Sequence, residues 1–567
     1  MSASSPLLGS AFHPPHAVRA GHRRLRPLSA GELRAEIGVT LLLRENPSGP
    51  SLAQTLAWID ATPPCARRHL EIAQLAARHG YAEADRGRVA NWAAASGVRI
   101  AAVDPATRRV IVQGEASRLA DLFGTQLHRY VGPGPRGTEV EYRGYSGSLR
   151  TPAALDGVVE GVFGLDDRPV ARSQLRGLAD RSPALVSYDP PEIAGAYAYP
   201  RLPDGGAGLH LVAGMIELGG VVQPRDLATS FTRLGLAPPN IVNLSVDGAV
   251  PSSDPDGADV EVALDYQVLG AMVQAMAPRA RLTIVVYNAP NCERGFIDAV
   301  ATAAADATHR PAAISISWGS PENNWTAQGL RGMDAAFAAG GARGVTFSAS
   351  AGDWGSTNAE LDGMQHVLHP ASSPHVWACG GTTLLTARGR ILSETVWNEL
   401  ARGQGAAGSG VSAAFPPPEY QARSGIQARS ANDGRLGRGL PDGSGNADPV
   451  TGWNVLSGGL LRITGGTSAV APMYTALWTL ITAYNGRPVG LPHATVYATA
   501  GRGFTDVISG NTGGPYRAGR GWDLASGWGS PDGVRLAREL DRASVVRAPR
   551  ITVRNVSKSA SRATLEL

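Results

Sequence analysis

Glu261 and Asp265 stand four residues apart in "DVEVALDYQ", the separation that sets two side chains on one face of a helix. Carboxylates held that close do not ionise independently. One can serve as a base while the other shares a proton and tunes it. Taken alone, the pair fits the solvated acidic edge of a helix better. Ser468 lies in "TGGTSAVAP", after two glycines and before an apolar, helix-like run. A serine at a helix N-terminus has an exposed oxygen, and nearby amides favour developing negative charge, as nucleophilic catalysis requires. Alone, it reads more readily as the cap of a buried helix. Asp353 in "SASAGDWGS" follows an apolar strand-like run, where a strand end would deliver it to a cleft; alone, it satisfies its own turn. Trp318 in "SISWGSPE" ends another such run, and core packing is its simpler role.

The elements that must position these residues change character along the chain. Residues 27–165 alternate short strand-like and helix-like segments, among them "EIGVTLLLRE" (36–45) and a helical stretch near 65–80. The following "VANWAAASGVRIAAVDPATRRVIVQGEASRLADLFGTQLHRY" reads helix, strand, the turn "DPAT", strand, helix, strand. This suits a small α+β domain with an antiparallel sheet. Residues 166–190 are polar, dotted with Arg and Pro, and read as an exposed linker of the kind proteases cut. Beyond it, apolar runs recur at 209–216, 281–287, 312–318 and 344–352, separated by helical stretches. Such alternation implies a mostly parallel sheet covered on both faces, with chemistry at the carboxyl ends of its strands. Residues 400–450 are loop-rich, and roughly the last 20 form a polar tail.

Composition narrows the function classes. The 567 residues are 43% hydrophobic and 18% charged, which suits two or more globular domains. No apolar run reaches about 18 residues, so no membrane helix is expected. The first residues lack the apolar core of a signal peptide. Cys65, Cys292 and Cys379 are three cysteines without metal-like spacing and make at most one bridge. Residues 1–181 hold 23 Arg/Lys against 17 Asp/Glu, and residues 182–567 hold 29 against 31. The basic charge is scattered and nearly all Arg, which argues against nucleic-acid binding. A basic front piece resting on a mildly acidic body fits better. His79 could contribute to an acid response, but a surface histidine is the plainer reading.

Together "GGTSAVAP", the "EVALD" spacing, "SISWGSPE" and "SASAGDWGS" resemble the sedolisin family of serine-carboxyl peptidases, nearest its kumamolisin group. "MIELGG" (215–220), "ACGGTTL" (378–384) and "GRGLPDGSGNADPVTGW" (437–453) extend the likeness. The front region resembles the family's activation propeptide, and the likeness spans roughly residues 20–540. It implies a subtilisin-like, mostly parallel sheet with helices on both faces, preceded by a ferredoxin-like α+β prodomain. It implies a prodomain at 1–165, a processing linker at 166–190 and a catalytic domain at 191–545; the polar tail at 546–567 is not part of the pattern.

Carried over residue by residue, the resemblance makes Ser468 the nucleophile and Glu261 its base. Asp265 becomes the carboxylate hydrogen-bonded to that Glu, and Asp353 the oxyanion-hole acid. Glu217 and Trp318 match outer members of the network. A carboxyl base and a carboxylic-acid donor both belong to acidic solution. An acid-active, self-processing, secreted endopeptidase follows, monomeric, acting on proteins or peptides and inhibited by its own prodomain. A tripeptidyl-peptidase of the same family and an inactive binding relative are the alternatives. A histidine-based subtilisin arrangement is disfavoured, because none of the 12 histidines stands in an "HGT" context.

Near the end, Asp506 and Asp523 flank a glycine-rich loop, a pattern that suits an oxygen-ligand calcium site. By the same resemblance Asp506, Val507, Gly519, Gly521 and Asp523 match the family's Ca²⁺ ligands, Val507 and the glycines through their carbonyls. Trp354 and Gly443 depart from the family pattern, where a smaller and an aliphatic residue are expected.

Overall fold

The computed structural model describes residues 5–11, 22–133, 139–177, 186–254 and 257–542. The polar tail at 546–567 and residues 178–185 of the linker lie outside them.

The front region builds a four-stranded antiparallel sheet in the spatial order Arg99–Asp104, Arg109–Glu115, Glu36–Leu43, Val159–Phe163. In chain order helices fall between Glu36–Leu43 and Arg99–Asp104 and between Arg109–Glu115 and Val159–Phe163, the ferredoxin-like arrangement. Val39, Leu41, Leu43, Val110 and Val112 alternate onto its buried face with Val89, Trp92 and Phe123, as a period of two requires. His79 departs from expectation. It is 2% exposed, bonded to Thr55 Oγ1 at 3.0 Å, and burial lowers its pKa. It ends an amphipathic helix, Ile72–His79, whose inner face carries it into the core.

The larger sheet has eight strands. Seven run in the order Asn240–Ser245, Arg281–Asn288, His210–Glu217, Ala313–Ile316, Thr346–Ser350, Trp377–Ala387 and Arg390–Val396, with Gly443–Asn446 also paired to Trp377–Ala387. All pairings are parallel except that of Arg390–Val396. Alternate residues feed two cores. Ala213, Met215, Ile284 and Val286 pack on one side with helices Ala258–Met276 and Thr467–Asn485. Ile216, Val285 and Tyr287 pack on the other with helices Glu293–Ala305 and Ala327–Ala342. The helices Ala258–Met276 and Thr467–Asn485 are buried along most of their length, so they read as apolar all round rather than striped.

Two expectations are corrected. The run ending at Trp318 is not one strand: Ala313–Ile316 stops, Ser317 turns, and Trp318–Pro321 leaves the sheet as a separate strand. The linker is not simply exposed, because Arg168, Val170, Ala171 and Gln174 are buried. Arg172–Ser173 pairs antiparallel with Trp318–Pro321, and Arg176–Gly177 pairs antiparallel with Leu460–Gly465. Edge strands with free main-chain groups take up a passing extended chain in this way.

The two sheets meet along helix Ala327–Ala342, whose Ala338, Ala339 and Ala342 pack against Leu52, Leu56 and Ile59. A buried polar group crosses the same boundary. Arg109 donates to Asp298 at 2.8 Å and to Asp104 at 3.0 Å. Thr40 donates to Asp298 at 2.6 Å, and Arg294 pairs with Asp247 and Asp298. All three cysteines are free. No helix among the described residues is long and apolar enough to cross a membrane.

Candidate active site

Three strand ends and two helix starts converge. Glu217 is the last residue of His210–Glu217. Ser317 and Trp318 follow Ala313–Ile316, and Asp353 follows Thr346–Ser350. Glu261 and Asp265 lie in the first two turns of Ala258–Met276, and Ser468 is the second residue of Thr467–Asn485. The crevice beyond the carboxyl ends of a parallel sheet is the expected place for such a meeting.

Ser468 does not cap its helix. Gly466 is the N-cap residue, and the first amides are satisfied from outside. Thr467 donates from N and Oγ1 to Asp353 Oδ1 at 2.7 and 2.8 Å. Ser468 N donates to the carbonyl of Gln174 at 3.0 Å. Orphan amides at a helix start attract negative charge, and here they meet a carboxylate and a peptide oxygen. Gly466 has φ +95°, and a β-carbon on it would fall 2.2 Å from Gln174 O and 2.4 Å from Asp353 Oδ2. Only glycine lets the linker come this close.

Pro472 shapes the same turn. A proline lacks the amide that would bond the carbonyl four residues back. The freed Ser468 carbonyl instead accepts from Ser317 Oγ at 3.2 Å. Ser317 Oγ also reaches both oxygens of Asp265 at 2.8 Å, and Ser468 Oγ donates to Ser317 O at 3.3 Å. Trp318 Nε1 donates to Glu217 Oε2 at 2.9 Å.

Every carboxyl group in this crevice is buried, and burial is the first cause that raises each pKa. Glu261 is pushed well up; the hydroxyls of Ser468 and Ser173 beside it pull the other way. Asp265 is pushed well up by burial and by the charges of Glu217 and Glu261. Glu217, within sharing distance of a proton on Asp265, also rises. Asp353 is pushed up to about 6 by burial, against the pull of Arg176. Neither oxygen of Glu261 and neither Glu217 Oε1 nor Asp353 Oδ2 receives a hydrogen bond. Buried acceptors without donors are costly, and a proton on Glu217 and on Asp353 removes part of that cost.

A model of the pro-kumamolisin activation domain matches residues 26–168. Kumamolisin of Bacillus sp. (strain MN-32) is 41% identical over 92% of this chain and 96% of its own length. The chain belongs to the kumamolisin–sedolisin family of serine-carboxyl peptidases. Sedolisin of Pseudomonas sp. (strain 101) is 30% identical over 94% of this chain and 92% of its own. Tripeptidyl-peptidase sed5 of Aspergillus fumigatus is 29% identical over 95% and 97%. Among solved structures, Pseudomonas sedolisin complexed with two molecules of pseudo-iodotyrostatin aligns with a TM-score of 0.54 and 31% identity. It covers 63% of this chain and 98% of that one.

The expected catalytic and network residues of this serine-carboxyl peptidase are therefore neighbours, with one difference in wiring. Asp265 takes its hydrogen bond from Ser317, while Glu261 acts on it only through charge. Sequence reasoning missed Ser317, Thr467, Gln174 and Arg176. For Ser317 a signal existed: Pro472, four residues after Ser468, announces a freed carbonyl in need of a donor. Gly443 also has its reason, because a β-carbon there would fall 2.5 Å from Tyr474 Oη and 3.0 Å from Trp377 and Phe504. Aromatic rings occupy the space an aliphatic side chain would fill.

The residues expected to hold calcium share one loop. Gly521 N donates to Asp506 Oδ2 at 2.9 Å, and Gly519 N to Asp523 Oδ2 at 2.8 Å. Val507 O accepts from Ser526 Oγ at 3.2 Å. Among the described residues no cluster of three or more His, Cys, Asp or Glu is placed to hold a metal. A site here therefore rests on two carboxylates plus carbonyls. Burial raises the Asp523 pKa, opposed by backbone amides. An all-oxygen donor set of this kind fits a hard cation.

Proposed function

We propose that this protein is the precursor of an acid-active endopeptidase in which Ser468 attacks the peptide carbonyl and Glu261 takes its proton. The observation that carries the reading is the burial of Ser468, Glu261, Asp265 and Asp353 in one crevice whose only adjacent cation among the described residues, Arg176, comes from the linker. A carboxylate serves as base where a histidine otherwise would. Asp265, through Ser317 and its proton shared with Glu217, holds the charge on Glu261 in check. Asp353, protonated, joins Ser468 N–H in donating to the tetrahedral oxygen. That donor exists only below its pKa of about 6, so activity rises as pH falls through that region. Trp318 and Glu217 position the outer edge.

Residues 172–177 pass through the crevice with main-chain pairing on both sides of Gln174. A cleft open at both ends supports endopeptidase rather than tripeptidyl action. Casein turned over in acid, with large peptides among the first products and none from Ser468→Ala, is the expected outcome. Release of tripeptides alone would leave the tripeptidyl mode, and equal rates for both proteins would end the peptidase reading.

We assign residues 1–165 to the inhibitory prodomain, 166–190 to the linker and 191–545 to the catalytic domain, in a secreted monomer acting on proteins. Prodomain and body are joined by Arg109–Asp298 and Glu71–Arg310. Asp506, Asp523 and the carbonyls of Val507, Gly519 and Gly521 would hold Ca²⁺, which supplies charge to lock that loop. EDTA should lower Tm by a few degrees, roughly 1–2 kcal/mol in a chain this size. Unchanged melting and activity would remove the site.

A further inference from the structure

The linker enters the crevice as a substrate would, in a register that names one bond. Arg172 and Ser173 pair with Gly319 and Trp318, and Gln174 N donates to Ser317 O at 3.0 Å. Arg176 and Gly177 pair with Gly465 and Thr464. Between these pairings the Gln174 carbonyl accepts from Ser468 N at 3.0 Å. Asp353 Oδ2, which receives no hydrogen bond, adjoins the same carbonyl across the bare face of Gly466. A peptide oxygen held by the nucleophile's own amide, beside a second acid able to donate, occupies the oxyanion position. Beyond it, the Arg176 guanidinium carbon lies 3.6 Å from the centre of the Trp354 ring, with Nε 3.7 Å from Asp353 Oδ2. Trp354 is 41% exposed, so this pair stands as a subsite contact.

We propose that the first self-cleavage severs the Gln174–Leu175 peptide bond and that Trp354 reads the residue two places beyond the cut, preferring arginine. The inference rests on Ser468 and Glu261 acting as proposed above. Ser468 Oγ bonds to the Gln174 carbonyl carbon as its proton passes to Glu261. The C–N bond to Leu175 breaks, and the Leu175 nitrogen leaves with that proton as a free amine. Water then attacks the Gln174 ester, one of its protons returns through Glu261 to Ser468, and Gln174 ends in a carboxyl group.

The full precursor, brought from neutral to about pH 4, tests this by intact mass and N-terminal sequencing of early samples. Leu175 is the expected first new N-terminus, at a rate independent of protein concentration. A different first N-terminus, with Leu175 absent throughout, overturns the inference while casein hydrolysis keeps the peptidase reading. Loss of both cutting and casein hydrolysis overturns the reading itself. Leu175→Pro removes no hydrogen bond donated to the described residues; at unchanged neutral-pH melting it should slow this cut about tenfold or more, since the residue before a proline is restricted. An unchanged rate counts against the assignment. For the matured enzyme, peptides with Arg rather than Ala two places past the cut should show kcat/KM about tenfold higher, the size of a partly desolvated cation–π contact. In Trp354→Ala that ratio should fall toward one; a ratio of one in the unaltered enzyme overturns the Trp354 assignment.

Discussion

Two of the protein's carboxylate groups are balanced in opposite ways. At the boundary between the two sheets, Asp104, Asp247 and Asp298 share Arg109 and Arg294, with Thr40 completing the set. In the crevice, Glu217, Glu261, Asp265 and Asp353 have hydroxyls, amides and an indole, but among the described residues one cation, and that at the edge. The first group holds domains together by pairing charges in a dry place. The second is pushed toward its neutral form by burial. Asp353 donates only when protonated, so that part of the site belongs to acid solution, whereas the first group belongs to the resting precursor. Balance is not complete even in the first: Asp247 is pushed up to about 8 by burial and by Asp298, against Arg294.

Substitutions separate the two. Ser468→Ala and Glu261→Gln should each lower casein turnover at least about 10³-fold, because each removes a member of one acting unit. Glu261→Gln retaining a tenth of the activity would place the base elsewhere. Arg109→Ala takes from Asp298 one of its two cations, leaving Arg294 and Thr40, and breaking a buried pair from one side costs up to about 3–5 kcal/mol. Denaturant unfolding of the precursor should show that loss, while matured enzyme without the front domain keeps its kcat/KM. Asp353→Ala should cost about 10²–10³ in kcat. Asp353→Asn should keep part of the rate and flatten the rise near pH 6.

The smallest effect concerns stability. Asp353 titrates at about 6 when folded against an ordinary 3.8, so the folded protein binds that proton more tightly. The stabilisation is fully present below about 3.8 and is lost as pH rises through about 6, amounting to about 3 kcal/mol at most. Tm measured across pH 3–7 should fall along this stretch, and less steeply in Asp353→Asn. The same slope in both would assign the pH dependence to the other carboxyl groups.

Much of this arrangement was legible in local sequence. The spacing of Glu261 and Asp265, the glycines before Ser468 and the strand before Asp353 each encode position within one element. The first five elements of the front region's βαββαβ order followed from alternating periods of two and 3.6, but the strand read at its end, His128–Pro133, joins a separate three-stranded sheet, and Val159–Phe163 completes the four-stranded one. What escaped was encoded between elements. Nothing local in "ARSQLRG" says that it pairs with strands beginning at Trp318 and Leu460, each well over a hundred residues away. The same segment is polar, which suggested exposure, yet an extended chain is buried by its main-chain bonds whatever its side chains. His79 misled for a related reason: a polar residue was placed outside, although it sits on the inner face of its helix beside Leu75.

The strands flanking Gln174 have a consequence for timing. Breaking one covalent bond between them removes none of the pairings at Arg172–Ser173 or Arg176–Gly177. The newly cut ends stay where they were, still attached to folded pieces and present at an effective concentration of the order of millimolar. Scission and the appearance of activity are then separate events. A precursor dropped into acid should show a lag, during which it is already in two pieces but still plugged by its own product, and the length of that lag is the residence time of the front domain.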